Sequence, residues 1–304
     1  MDFSGWYPVA LQEKEQPLIK WTYFGDQRFT RPFFYDEQTG KPYQWQPFDS
    51  LLQASYQEIV SPAAFFFHSS RCGSTLLSQQ LSLSERFISL SEPTGLDLIL
   101  HYVHDLDNQD EQIALIRTMV QILGQKRFDR ESHLFIKTDS WHIAWLPLIR
   151  QAYPEVPCYF MFREPEAIIA SHQKLRGRQM VPGVVDMKAV QPDLSQVEPW
   201  DLDRYAQQVL LRFFELAIQY HKQGLLTLID YNTLPDYIWH DLNTELNLQF
   251  TLKEMNIMRQ ASGNHSKRPD QLFHEKKASD IQIIPELSAC YQQLKQCNAI
   301  DSKA

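Results

Sequence analysis

The 304-residue chain predicts an α/β fold in three layers, a central and mainly parallel five-stranded sheet flanked by helices. Three observations carry this. Five short apolar runs of strand length recur after residue 60, separated by stretches with helical spacing. The runs are apolar at nearly every position rather than at alternate ones, the pattern of strands covered on both faces. Hydrophobic residues make up 43% of the chain, enough for a sizeable core and more than a disordered chain carries.

Residues 1–55 stand apart as an aromatic covering segment, ahead of an α/β domain at 56–304. Trp6, Tyr7, Trp21, Tyr23, Phe24, Phe29, Phe33, Phe34, Tyr35, Tyr43, Trp45 and Phe48 crowd there without a sustained period. So many rings need burial, so short strands or irregular segments packed on the larger body are expected. The strands then follow in order: Ala63–His68, Phe87–Leu90, His133–Lys137, Cys158–Phe162 and Leu225–Ile229. Leu76, Leu77, Gln80 and Leu81 recur at helical spacing after the first. Residues 94–123 read as two helices broken around Asp105–Asp110, and His142–Ala152 and Pro165–Leu175 as one helix each. Tyr205, Val209, Phe213, Leu216 and Tyr220 mark an amphipathic helix that stops near Gly224.

Charge narrows the class. With 29 Lys and Arg against 37 Asp and Glu the net charge is −8, which argues against a general nucleic-acid binder, since phosphate backbones are held by excess cations. It leaves room for a small basic pocket. Four cysteines (Cys72, Cys158, Cys290, Cys297) are too few for a disulfide framework and lack paired metal-ligand spacing. No signal-like start and no apolar run near the roughly 20 residues of a membrane span are visible, so a soluble cytoplasmic protein is expected.

In such a sheet ligands bind beyond the carboxyl ends of the strands. The first strand ends in Ser69-Ser70-Arg71-Cys72-Gly73-Ser74-Thr75, two hydroxyls, a cation and a glycine ahead of a helix start. That is the composition of a phosphate cradle, in which backbone N–H groups face an anion and glycine admits close approach. A nucleoside-triphosphate loop, G-x-x-x-x-G-K-[ST], would need glycine where His68 stands and lysine where Ser74 stands. A Cys-x5-Arg phosphatase loop fails because Ser78 holds the arginine position. The bland alternative is a plain strand-to-helix turn capped by Thr75. The fourth strand ends in Arg163-Glu164-Pro165, and Ser171 follows eight residues after the arginine, in the second turn of a helix begun by Pro165. An arginine at a strand end and a nearby hydroxyl can grip a second phosphate.

Together, FFFHSSRCGSTLL and MFREPEAIIAS resemble the sulfotransferases that use 3′-phosphoadenosine 5′-phosphosulfate (PAPS), over about residues 60–275. The resemblance implies a P-loop-like fold in which Ser69, Ser70, Arg71, Cys72, Gly73, Ser74 and Thr75 hold the 5′-phosphosulfate. It implies Arg163 and Ser171 on the 3′-phosphate, with Lys267 and Arg268 from the basic segment Ser262–Arg268 above it. That segment lacks the family's arginine-lysine-glycine form, and solvated surface is its other reading. PAPS would be the co-substrate, adenosine 3′,5′-bisphosphate the product, and no metal is expected.

Sulfuryl transfer needs a base for the acceptor proton and positive charge on the transferring oxygens. Arg71 suits the second task, and the resemblance implies the same for Lys137, which as a bare sequence feature could be a snorkelling strand-end lysine. Glu92, closing the second strand, is the first choice of base, as in family members acting on carbohydrates. Asp139 is the second; small-molecule cytosolic members carry a histidine at about that place. His68 and His142 are near enough to be considered, and a base of raised pKa would suit the role. Lys174–Arg178 reads as a basic surface turn or a lid near the acceptor, and His101-x-x-His104 with Asp105 and Asp107 as a solvated helix end rather than a metal site. The acceptor is a small molecule or carbohydrate offering a hydroxyl or amine. An ATP-dependent phosphotransferase with a degenerate loop and a non-catalytic nucleotide-binding protein are the alternatives.

Overall fold

The computed structural model describes residues 2–13, 15–56, 58–262, 264–265, 268–272 and 281–301, with backbone alone for 264–265, 268–272 and 300–301. Three antiparallel strands come first, β1 (Trp6–Gln12), β2 (Leu18–Tyr23) and β3 (Tyr43–Pro47), in that spatial order. A short α1 (Ser50–Gln53) leads to β4 (Pro62–His68) and α2 (Ser74–Ser82). Next come β5 (Phe87–Ser91), α3 (Thr94–His104), α4 (Gln109–Leu123) and β6 (His133–Lys137). A 3-10 turn at Ser140–Trp145 runs into α5 (Leu146–Ala152), then β7 (Cys158–Phe162) and α6 (Pro165–Lys174). The long α7 (Leu202–Lys222), β8 (Thr227–Asp230), α8 (Asp236–Trp239), α9 (Asp241–Glu245) and α10 (Leu252–Ser262) follow. A small ribbon of β9 (Asn264–His265) and β10 (Arg268–Leu272) precedes α11 (Pro285–Asp301).

The central sheet has the order β5-β6-β4-β7-β8, and all four of its pairings are parallel. After β4 the chain builds one side of the sheet and then crosses to build the other. The carboxyl end of β4 is therefore the topological switch point, where a crevice opens between diverging connections. Along β4 the pleat sends Phe65 and Phe67 into one hydrophobic cluster and Ala64 and Phe66 into another. Both faces are buried, which is why the strand sequences are apolar throughout.

Two expected elements shift. The single helix expected at 142–152 divides, because Pro147 inside a continuous helix would lack an N–H donor and crowd the preceding turn. The last strand lies at Thr227–Asp230 rather than Leu225–Ile229. The break between α3 and α4 falls where expected, and Asn108 accepts the Asp110 and Glu111 N–H groups to start α4.

The N-terminal aromatics are buried on one side only. Tyr7, Phe24, Phe29 and Phe34 form a ring cluster, with Tyr7 meeting Phe29 edge-on at 5.3 Å and Phe24 at 5.5 Å. Such pairs add about 1 kcal/mol each beyond area burial. Tyr35 and Tyr43, by contrast, are 69% and 59% exposed. Among the described residues, no helix is long and apolar enough to cross a membrane.

Candidate active site

The loop between β4 and α2 is the centre of the carboxyl edge. Ser70, Arg71 and Gly73 all have left-handed backbone, with φ of 70°, 52° and 81°. For the two non-glycine residues this conformation costs about 1 kcal/mol or more, and such strain collects at ligand-binding loops. A Cβ on Gly73 would lie 2.7 Å from Leu234 Cδ1 and 3.0 Å from Tyr231 Cδ2, so a side chain there would push these two aside as well as strain the backbone. No side-chain cap closes the N-terminus of α2, so Thr75 is not the cap of a plain turn. The first-turn N–H groups, which have no acceptor within the helix, face the loop together with its dipole. The Ser69 N–H donates to Met161 O at 3.0 Å, fastening the loop to β7. Arg71 reaches across to α6, where its guanidinium donates to Leu175 O at 2.6 Å.

Lys137 and Glu92 meet at the ends of β6 and β5. Lys137 is 1% exposed, and its ammonium donates to Glu92 Oε1 and, at 3.3 Å, to Ser91 Oγ. This is a buried ion pair, not a lysine snorkelling to water. Glu92 itself has φ of 56°, a third strained non-glycine residue on the same edge. Burial opposes its charge, but the adjacent Lys137 and the His68 N–H hold the carboxyl well below its usual range. The raised pKa expected of a base is therefore absent from Glu92.

Asp139 has it instead. Burial pushes its carboxyl well above the usual value, helped by the nearby charges of Glu92 and Asp97. Asp139 caps the 3-10 turn, and its N–H donates to His142 Nδ1 at 3.2 Å. With Nδ1 accepting, the proton sits on Nε2, which donates to Asp97 Oδ1 at 2.8 Å. Trp141 Nε1 donates to the same oxygen at 2.8 Å, and His101 Nε2 stands 3.3 Å away. Burial opposes the Asp97 charge, but the His101 and His142 hydrogen bonds hold its carboxyl well below the usual range. Asp97, Asp139 and His142 keep their donor atoms within 4.8 Å of one another, a spacing that could suit a metal. The tautomer opposes it, since Nε2 would have to lose its proton and Nδ1 its hydrogen bond before either could ligate.

The two histidines considered as bases are both committed. His68 Nδ1 accepts the Ser70 N–H at 3.0 Å, and Nε2 lies 3.0 Å from Thr138 O. Burial and the Lys137 charge push its pKa down to about 4. His142 is fully buried and bonded at both nitrogens.

Arg163 ends β7 beside the loop, with Nη1 donating to Arg71 O at 3.3 Å and the guanidinium 4.1 Å from the Tyr231 ring centroid. Ser171 lies half-buried in the second turn of α6, as its spacing implied. Lys267 falls outside the described residues, and of Arg268 only the backbone is described, in β10. In the basic turn, Arg176 pairs with Asp203 and donates to Leu202 O, while Arg178 is close enough to act electrostatically on Asp139. His104, Asp105 and Asp107 are exposed, as a solvated helix end should be, whereas His101 turns inward to Asp97. Sequence reasoning missed Asp97 and gave Tyr231 no role. Asp97 precedes His101 by four positions on α3, a helical pairing that could have drawn attention to it.

No family model matches the chain, and no curated protein matches its sequence. Among solved structures it is similar to the sulfotransferase domain from the curacin biosynthetic pathway, at 16% identity and a TM-score of 0.51, covering 78% of this chain and 99% of that one. The sulfotransferase domain of the Synechococcus PCC 7002 olefin synthase matches at 15% identity and a TM-score of 0.49, over 81% of this chain and 98% of that one. A sulfotransferase from Mycobacterium avium matches at 10% identity and 0.47, over 84% and 79%. The α/β architecture, the five-stranded parallel sheet with its switch point at β4 and the first of these likenesses agree: the chain has the sulfotransferase fold.

Proposed function

We propose that this protein is a PAPS-dependent sulfotransferase, cytoplasmic and independent of metal, acting on a small-molecule or carbohydrate acceptor. The observation that carries the reading is the convergence on one sheet edge of three cationic groups, Arg71, Lys137 and Arg163, around a strained helix-capping loop and one carboxylate, Glu92. The cradle suits a bisphosphorylated nucleotide. Loop N–H groups and Arg71 would take the 5′-phosphosulfate, while Arg163 and Ser171 would take the 3′-phosphate.

PAPS supplies an activated sulfuryl group with a phosphate leaving group. The acceptor oxygen forms a bond to sulfur as the bond from sulfur to the 5′-phosphate breaks, and the acceptor proton passes to Glu92. Lys137 and Arg71 offset the charge that develops on the sulfuryl and leaving oxygens. Once Lys137 turns toward that charge, Glu92 loses its main stabilising partner and becomes the stronger base. Asp139, its carboxyl pushed up by burial at the same edge, is the second candidate. Glu92→Gln is expected to keep adenosine 3′,5′-bisphosphate affinity and lose turnover from labelled PAPS by about a hundredfold or more. Near-normal turnover would move the role to Asp139.

A further inference from the structure

The aromatic N-terminal layer sends one segment, residues 30–38, onto the catalytic edge. Its shape is fixed by Glu37, a carboxylate only 5% exposed, whose Oε1 accepts the N–H groups of Thr30 at 3.0 Å and Arg31 at 2.8 Å. Arg31 closes the turn by donating to Asp36 O at 2.8 Å, and Phe34 anchors it in the buried ring cluster. The segment is tied at two points to the elements that hold the site. Gln79 of α2 donates to Thr30 O at 3.1 Å, and Gln38 donates to Thr94 Oγ1, the first residue of α3, at 3.1 Å. Thr94 is two residues past Glu92, so the strap spans from the helix behind the donor loop to the turn that carries the carboxylate. Between these ties Phe33, half-buried, holds its ring 5.2 Å from Lys137 Nζ.

We propose that this strap is the acceptor-selecting wall of the site, and that Phe33 stacks on an acceptor whose reacting hydroxyl is carried on an aromatic ring. The inference rests on the sulfotransferase reading and names its substrate class. Phe33 sets a flat apolar ring beside the Lys137 ammonium, and an aryl group matches that ring in shape and in offset or edge-on packing.

The test uses the full chain, labelled PAPS, and two probe acceptors, 2-naphthol and hexan-1-ol, with adenosine 3′,5′-bisphosphate affinity measured by calorimetry on every variant. The wild type should sulfate 2-naphthol with a kcat/KM at least about a hundredfold above hexan-1-ol. Phe33→Ala should raise the 2-naphthol KM about tenfold or more while bisphosphate affinity stays unchanged, and Phe33→Tyr should restore the KM. Intact bisphosphate affinity shows that Phe33→Ala is folded. An unchanged KM in Phe33→Ala would overturn the proposal. So would equal use of the two probes, sulfation of neither by a protein that binds the bisphosphate, or parallel losses in KM and bisphosphate affinity, which would mean Phe33 acts only through Lys137. Failure of the wild type to bind the bisphosphate would instead sink the sulfotransferase reading itself.

Discussion

His68 sits beneath the donor loop with Nδ1 accepting the Ser70 N–H, so its proton count is linked to loop geometry. Its folded pKa is about 4 against an ordinary 6.5, so the unfolded chain binds more protons between those values and stability falls as pH drops through that window. His68 should account for about 3 kcal/mol of that loss. Urea denaturation at pH 7 and pH 4 should show a smaller decline for His68→Asn than for the wild type, and equal declines would contradict the assignment. Glu92 and Asp139 are shifted in opposite directions, which separates them kinetically. With Glu92 as base the kcat/KM profile, which reports the free enzyme, should have no acid limb above about pH 5. An acid limb nearer neutrality that vanishes in Asp139→Asn would transfer the role. Little of this was legible in sequence: Glu92, Lys137 and Asp139 could be placed at strand ends, but their mutual charges depend on distances across three strands.

The β4–α2 loop was the most legible element, because an apolar run, a polar turn with glycine and a helical repeat are local signals. Its tertiary setting was not. Tyr231 packs against the Arg163 guanidinium and borders Gly73, so one ring touches both of the proposed phosphate grips. Gly73→Ala combines a left-handed φ with a Cβ 2.7 Å from Leu234 Cδ1 and should destabilise the protein by about 1–3 kcal/mol. Calorimetry should also find its bisphosphate affinity reduced about tenfold or more. Unchanged stability and affinity would mean that the loop is not held as described. Tyr231→Ala should weaken the bisphosphate about tenfold by freeing Arg163, with Tyr231→Phe near wild type, since the cation packs on the ring face. Equal effects of the two substitutions would assign the role to the hydroxyl. The strap at 30–38 was illegible for the same reason as Tyr231. Its aromatic content announced burial, yet which ring would reach Lys137 is decided by the ties at Gln79 and Thr94.

Across the whole molecule, a net charge of −8 coexists with a cationic edge. The parallel sheet creates that edge by ending β4, β6 and β7 on one side, so Arg71, Lys137 and Arg163 gather although they are far apart in the chain. A compact anion should bind there, and an extended polyanion should meet repulsion from the surrounding acidic surface. The most direct test of the central claim is a thermal-shift comparison of adenosine 3′,5′-bisphosphate with ATP–Mg²⁺ on the wild type. Because a ligand that binds the native state raises its stability, the bisphosphate should give the larger rise in Tm. A larger rise with ATP–Mg²⁺ would contradict the sulfotransferase reading and favour a phosphotransferase with a degenerate loop.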